Sequence, residues 1–191
     1  WPYNGSSASD WLYYDDGMMV DGIGGPQTFY WGIMFPAESL AQYTGSFLTK
    51  VAMFDRVATT TTLQIYYGGT TAPETLVHTQ PYNADKVDTA FEFELTKPIE
   101  IDASKSLWIA MKNNTGQYIA SVTETNANVP DGRWNSDDGE NWYDLAEDGL
   151  EDIIWVIRGF VTDEVKGEVI IEPVDYEHKP TSNPSKKSLE N

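Results

Sequence analysis

Apolar residues in this chain recur every second position almost throughout, and that spacing confines it to β-sheet. Two is the side-chain period of a pleated strand, whereas an amphipathic helix repeats every three to four residues. In residues 89–95 (TAFEFEL), Phe91, Phe93 and Leu95 point one way while Glu92 and Glu94 point the other. The same signal runs through 62–67 (TLQIYY), 106–112 (SLWIAMK) and 117–123 (QYIASVT). Two further runs, 29–35 (FYWGIMF) and 153–161 (IIWVIRGFV), are apolar on both faces and read as central strands covered on both sides.

Turn signals divide these runs: Gly68-Gly69, Pro81-Tyr82-Asn83, Asn113-Asn114-Thr115-Gly116 and Asp138-Gly139. Many short strands separated by such turns predict an all-β sandwich or barrel. The single helical pattern is 36–43 (PAESLAQY), with Pro36 suited to a first helical position and Gly45 just beyond the end. That short helix is expected to cap one end of the sandwich. After Val161 the composition changes. The expected domain is 8–162, followed by a tail, 163–191, with one strand-like stretch at 168–172 (EVIIE) and a polar, Pro-containing end.

The 191 residues suffice for one domain with a sizeable core, and seven Trp and eleven Tyr are far too many for a disordered chain. A formal charge of −18 argues against binding nucleic acid or anionic membrane surfaces. The absence of cysteine removes disulfides, thiolate metal sites and cysteine nucleophiles. No apolar run approaches the roughly 20 residues that span a bilayer. The N-terminal WPYNGSSASD lacks the basic-then-apolar layout of a signal peptide, so a secreted chain would be seen here in its mature form.

The stretch 132–142, GRWNSDDGENW, carries the richest local chemistry. Nine acids against one base, Arg133, lie between Asp131 and Asp152. An EF-hand loop fails on spacing: counted from Asn135, glycine falls at the fifth position instead of the sixth, and the twelfth is Ala146 instead of glutamate. A looser calcium site built from Asp137, Asp138 and loop carbonyls stays open. As a turn, Asp137-Asp138-Gly139 would form a three-residue hairpin loop, setting Trp134 directly across from Trp142 as a cross-strand aromatic pair. The stretch also resembles the Asp box of sialidases and other secreted β proteins, Ser-x-Asp-x-Gly-x-Thr-Trp. Here Asn135, Asp137, Gly139, Asn141 and Trp142 occupy the corresponding positions, with Asn at both hydroxyl positions. That resemblance implies a structural turn whose Asp bonds turn amides. A third reading is a sugar platform, because aromatic faces beside amides and acids suit pyranose rings. Trp134, Asn141, Trp142, Tyr143 and Asp144 are its candidate ligand-binding residues.

Other chemistry is thinner. His78 sits in a strand-like TLVHTQ and His178 in the tail, which argues against a paired-imidazole zinc site. No GxSxG elbow is present for a serine triad. The GIGG at 22–25 is not followed by a helical pattern, so it reads as loop. Among thirty acids, paired carboxylates for glycoside hydrolysis arise by chance and carry little weight. The segment 11–17 (WLYYDDG) reads as a first strand and acidic turn, or else as half of a cation or ligand site completed by a distant loop. Trp31, Trp108 and Trp155 fall in strand runs and are expected to be taken up largely by the core.

Together, WLYYDDG, FLTKVAMF, LQIYYGG, IEIDASKSLWIAM, GRWNSDDGENW and WVIRGFV resemble a module of secreted, multidomain surface proteins of Bacteroidetes, described as adhesin-like. The resemblance covers roughly residues 11–162. It implies a two-sheet jelly-roll β-sandwich related in architecture to cleaved-adhesin and carbohydrate-binding modules. It also implies an extracellular location and a tail leading to a further module or anchor. It brings no catalytic residues, and the acidic DADGDG-like calcium motif of cleaved-adhesin modules is missing. The expected function is therefore a non-catalytic binding or adhesion module engaging host glycan or extracellular protein. A carbohydrate-binding lectin is the alternative, and a glycosidase the third reading.

Overall fold

The computed structural model describes residues 9–16, 21–24, 28–57, 60–84, 88–113, 120–124 and 128–163. These form thirteen strands: β1 (Ser9–Leu12), β2 (Asp21–Ile23), β3 (Phe29–Phe35), β4 (Phe47–Asp55), β5 (Thr60–Tyr67), β6 (Thr75–Asn83), β7 (Thr89–Glu100), β8 (Leu107–Asn113), β9 (Ala120–Glu124), β10 (Trp134–Ser136), β11 (Tyr143–Asp144), β12 (Ile153–Trp155) and β13 (Ile157–Thr162). The strands make two antiparallel sheets, an all-β sandwich and not one closed barrel.

The pairing is nested. β1 pairs β13, β3 pairs β8, β4 pairs β7 and β5 pairs β6. A chain paired this way is a long hairpin rolled up, the jelly roll. One sheet runs β1-β13-β4 with β7 on the far edge of β4, and β2, β9 and β12 extend it. The other runs β11-β10-β3-β8-β5-β6. The run read as one strand over 153–161 is divided at Val156, so that β12 pairs β9 while β13 pairs β4. The tail strand at 168–172, His178 and most of the turn at 113–116 lie outside the described residues.

The two-residue period places the core. Phe29, Trp31, Ile33 and Phe35 from β3, Leu63, Ile65 and Tyr67 from β5, and Leu107, Ile109 and Met111 from β8 face Leu48, Val51, Met53, Trp155, Ile157 and Val161 of the opposite sheet. The Trp31 and Trp155 rings meet at 5.3 Å. In β7, Leu95 is buried, Phe91 and Phe93 are half-buried, and Glu92 and Glu94 are exposed, as the alternation predicts. The helix is one α turn, Ala37–Leu40, tightening to a 3-10 turn over Ala41–Tyr43. Pro36 takes the extended N-cap position (ψ 152°) and not the first helical one. Its fixed φ serves either position, and Leu40 anchors the turn in the core.

Candidate functional site

The acidic stretch folds as a turn, but not the one its length suggests. Trp134 pairs with Asp144 and Asn135 with Tyr143, so six residues, 137–142, form the loop. Trp134 and Trp142 are therefore not cross-strand partners. Two side chains take over backbone amides that a shorter hairpin would have committed to the ladder. The Ser136 hydroxyl accepts from the amides of Gly139 (2.8 Å) and Asp138 (3.3 Å). Asp138 Oδ1 accepts from the amides of Glu140 and Asn141, both at 2.8 Å, and Oδ2 accepts from the Asn141 side chain at 2.7 Å. The amide-bonding acid is thus Asp138 and not Asp137, which the Asp-box alignment pointed to. The Asn141 amide, the Asn141 side chain and the Glu140 amide hold the Asp138 carboxyl far below the usual carboxylate range.

That geometry bears on calcium. Asp138 Oδ1 also accepts from the Ser136 hydroxyl at 3.1 Å, so its lone pairs are committed to donors and not to a cation. Asp137 is exposed beside it. Among the described residues, no group of three or more His, Asp or Glu side chains is placed to hold a metal ion.

The loop carries Trp142 back over the outer face of the six-stranded sheet. On that face Tyr66, Trp108 and Met34 lie in one row across β5, β8 and β3. Gln64, Ala110 and Gly32 form the next row, and Thr62, Lys112 and Tyr30 the third. The middle row is low: a Cβ on Gly32 would stand only 2.9 Å from the Ala110 Cβ. Trp142 spans it, with ring centroids 5.7 Å from Trp108 and 6.3 Å from Tyr30. Its indole N–H donates to the Gly139 carbonyl (3.2 Å), and Gly139 lies on the Tyr30 ring with φ +82°. Trp134 leans onto Trp108 from the other side at 5.3 Å. The loop after β5 closes the top, where the Gly69 carbonyl accepts from the Trp108 indole (3.2 Å) and the Ser106 hydroxyl (2.5 Å).

The result is a second hydrophobic cluster outside the sandwich. Trp108 (0% exposed), Met34 and Trp134 (8%) are buried in it, and Tyr66 and Trp142 are half-buried at its surface. Tyr30 is half-buried as well, with the Lys112 ammonium 5.4 Å above its ring. Burial, then the neighbouring Tyr30, pushes the Tyr66 hydroxyl pKa up. Gln64 Oε1 and Trp134 Nε1 have no hydrogen-bond partner among the described residues. This face is a rigid, strand-borne aromatic platform with unused polar groups in its base, and it is the candidate site.

The residues expected at a ligand are brought together only in part. Trp142 stands at the platform and Trp134 is buried against Trp108, while the Asn141 side chain is bonded to Asp138 within the loop. Tyr143 pairs with Asn135 and so falls on the opposite side of the ribbon, where its hydroxyl accepts from Asn135 Nδ2 at 2.7 Å. Asp144 is held by Arg133, Nε to Oδ1 at 2.5 Å and Nη2 to Oδ2 at 3.1 Å, and caps the 3-10 turn Leu145–Asp148. Arg133 itself is buried and also donates to the Glu151 carbonyl and to Asn128, tying three segments together. Tyr30, Gln64, Tyr66 and Lys112 were not singled out from the sequence. The available signal was their place as outward positions in strands whose inward positions were clear.

Two acids away from the platform have partners of their own. Asp15, from WLYYDDG, is buried against Arg158, with Nη2 to Oδ1 at 2.5 Å and Tyr13 over the guanidinium at 4.6 Å. An internal arginine therefore takes the place a cation would have had. His78 is half-buried on β6, its Nε2 3.1 Å from Gln80 Oε1. An open cleft of about 640 Å³ lies beside Glu100, Asp102 and Ser104. There, hydrogen bonds from Ser104 and then Lys105 hold the Asp102 carboxyl down at about 2. No protein-family model, curated protein or solved structure matches the chain.

Proposed function

We propose that this chain is a non-catalytic binding module of a bacterial surface or secreted protein. In this reading it works outside the cell as one part of a longer, multidomain chain, and engages host glycan or extracellular protein. The observation that carries the reading is the outer face of the six-stranded sheet. A monomer without a partner for such a face gains little from leaving Tyr30, Tyr66 and Trp142 half-exposed on one face, and grouped aromatic exposure marks recognition surfaces. No helix among the described residues is long and apolar enough to cross a membrane.

The test is an array of glycans and matrix proteins probed with the full chain, in calcium and again in chelator. Binding that disappears in Tyr66→Ala and in Trp142→Ala, with the fold intact by circular dichroism, supports the module and its face. Binding that survives both substitutions moves the site elsewhere on the molecule. Loss in chelator alone would return attention to Asp137 and the acidic loop.

A further inference from the structure

We infer that the ligand of this face is a neutral glycan chain, and that polyanionic glycans are turned away. The inference rests on the binding-module reading and adds the chemical class of the ligand. Three observations on the platform converge on it.

The first is shape. Tyr66 and Trp142 are carried by separate elements, a central strand and a loop pinned to Tyr30, and both leave part of a ring open to solvent. Hexopyranoses present flat patches of C–H groups that match such rings. The rings are also held in place before binding, Trp142 by its bond to the Gly139 carbonyl and its contact with Trp108, so little side-chain entropy is lost on stacking.

The second is polar chemistry. Gln64 stands next to Tyr66 along β5 on the same face, and its amide oxygen has no donor among the described residues. An acceptor without a donor is costly to keep, and a sugar hydroxyl supplies one. That oxygen is buried in the unliganded protein, so bonding a sugar hydroxyl requires the Gln64 amide to turn outward. A planar amide beside an aromatic ring can bond hydroxyls in the plane of a stacked sugar.

The third is charge. The loop that carries Trp142 also exposes Asp137, Asp138 and Glu140, and the loop over Trp108 ends in the exposed Glu74. Both rims of the platform are thus acidic, within a chain of net charge −18. The cation on the face, Lys112, is held over the Tyr30 ring. A sulfated or uronic chain long enough to cross the platform meets carboxylates on both sides, whereas a neutral chain meets none of that repulsion. Binding that depends on stacking and neutral hydrogen bonds is also insensitive to salt.

The experiment is isothermal titration of the full chain with cellohexaose, chitohexaose and mannohexaose, and in parallel with heparin and hyaluronan, at low and at high salt. At least one neutral oligosaccharide is expected to bind with an affinity that salt leaves unchanged. Tyr66→Ala should weaken it about tenfold, equivalent to about 1.4 kcal/mol of lost stacking. Tyr66→Phe, which keeps the ring, should hold it within a factor of about two. Thermal melts of both variants separate a lost ring from a lost fold. If heparin, hyaluronan or a matrix protein binds instead and Tyr66→Ala abolishes it, the ligand class is wrong while the face remains a binding face. Glycan binding indifferent to Tyr66→Ala and Trp142→Ala overturns both. If none of the five sugars binds, the glycan inference falls, and any arrayed protein that does bind decides the broader reading.

Discussion

Each face of the six-stranded sheet buries a tryptophan completely, Trp31 on the inner side and Trp108 on the outer, by different means. Its inner face meets the opposite sheet, and Trp31, Ile33, Leu63, Ile65 and Ile109 are sealed there by that sheet's strands. Its outer face holds Trp108 just as completely out of water, yet the cover is two loops fastened by a few bonds: the Gly69 carbonyl, the Gly139 carbonyl, and Ser136 and Asp138 on the turn amides. Equal burial therefore conceals unequal anchoring. The inner face is part of the cooperative fold, whereas the outer one can loosen locally while the sandwich stands.

Three substitutions sharpen the contrast. The largest effect is expected on the inner face, where Trp155→Ala empties a site that is 0% exposed, should cost about 3–5 kcal/mol, and should depress Tm by roughly 10 °C. A thermal melt in which Trp155→Ala cost less than an outer-face change would break the distinction drawn here.

Next is Gly139→Ala on the outer face. Its φ of +82° disfavours any Cβ, and the added methyl would sit 2.7 Å from the Tyr30 ring. A loss of about 1–3 kcal/mol follows, concentrated in the loop. Amide hydrogen exchange should show 136–142 losing protection while β3, β5 and β8 keep theirs. Loss of protection across all three strands would mean that the two faces are one cooperative unit.

The smallest effect belongs to Asp138. Its folded-state pKa is depressed below the ordinary 3.8, so its contribution is present above that value and is lost as pH falls below it toward the folded value. Protection of the Glu140 and Asn141 amides should accordingly hold from neutral pH down to about 4 and decline progressively as pH falls further toward the folded value. Asp138→Asn should remove that acid-side step while shifting Tm less than Gly139→Ala does. An unchanged acid-side step in the variant would assign it to another carboxyl.

Much of this fold can be read locally. The alternation in 89–95, the inward Leu107, Ile109 and Met111, and the glycine turn at Gly68-Gly69 are properties of short segments, and the structure keeps them. The runs apolar on both faces announced that β3 and β13 are covered twice, without saying by what. The acidic turn was legible as a turn but not in its length, because the smallest loop that fits the spacing takes no account of side chains competing for amides, and Ser136 and Asp138 do so. The site was legible only through its loop half, Trp142. Tyr30, Gln64, Tyr66 and Lys112 come from three strands whose adjacency, β3-β8-β5, departs from chain order.

By itself the sequence determined an acidic, cysteine-free, all-β chain and told each strand which side chains to hide, because a period of two is set by the backbone pleat within a few residues. Only the tertiary structure decided that Asp15 finds Arg158, 143 residues away, and that Trp142 comes to rest on Trp108. Such partners are chosen by the order of strands in the sheets, which depends on how the whole hairpin rolls up and leaves no trace in any local spacing.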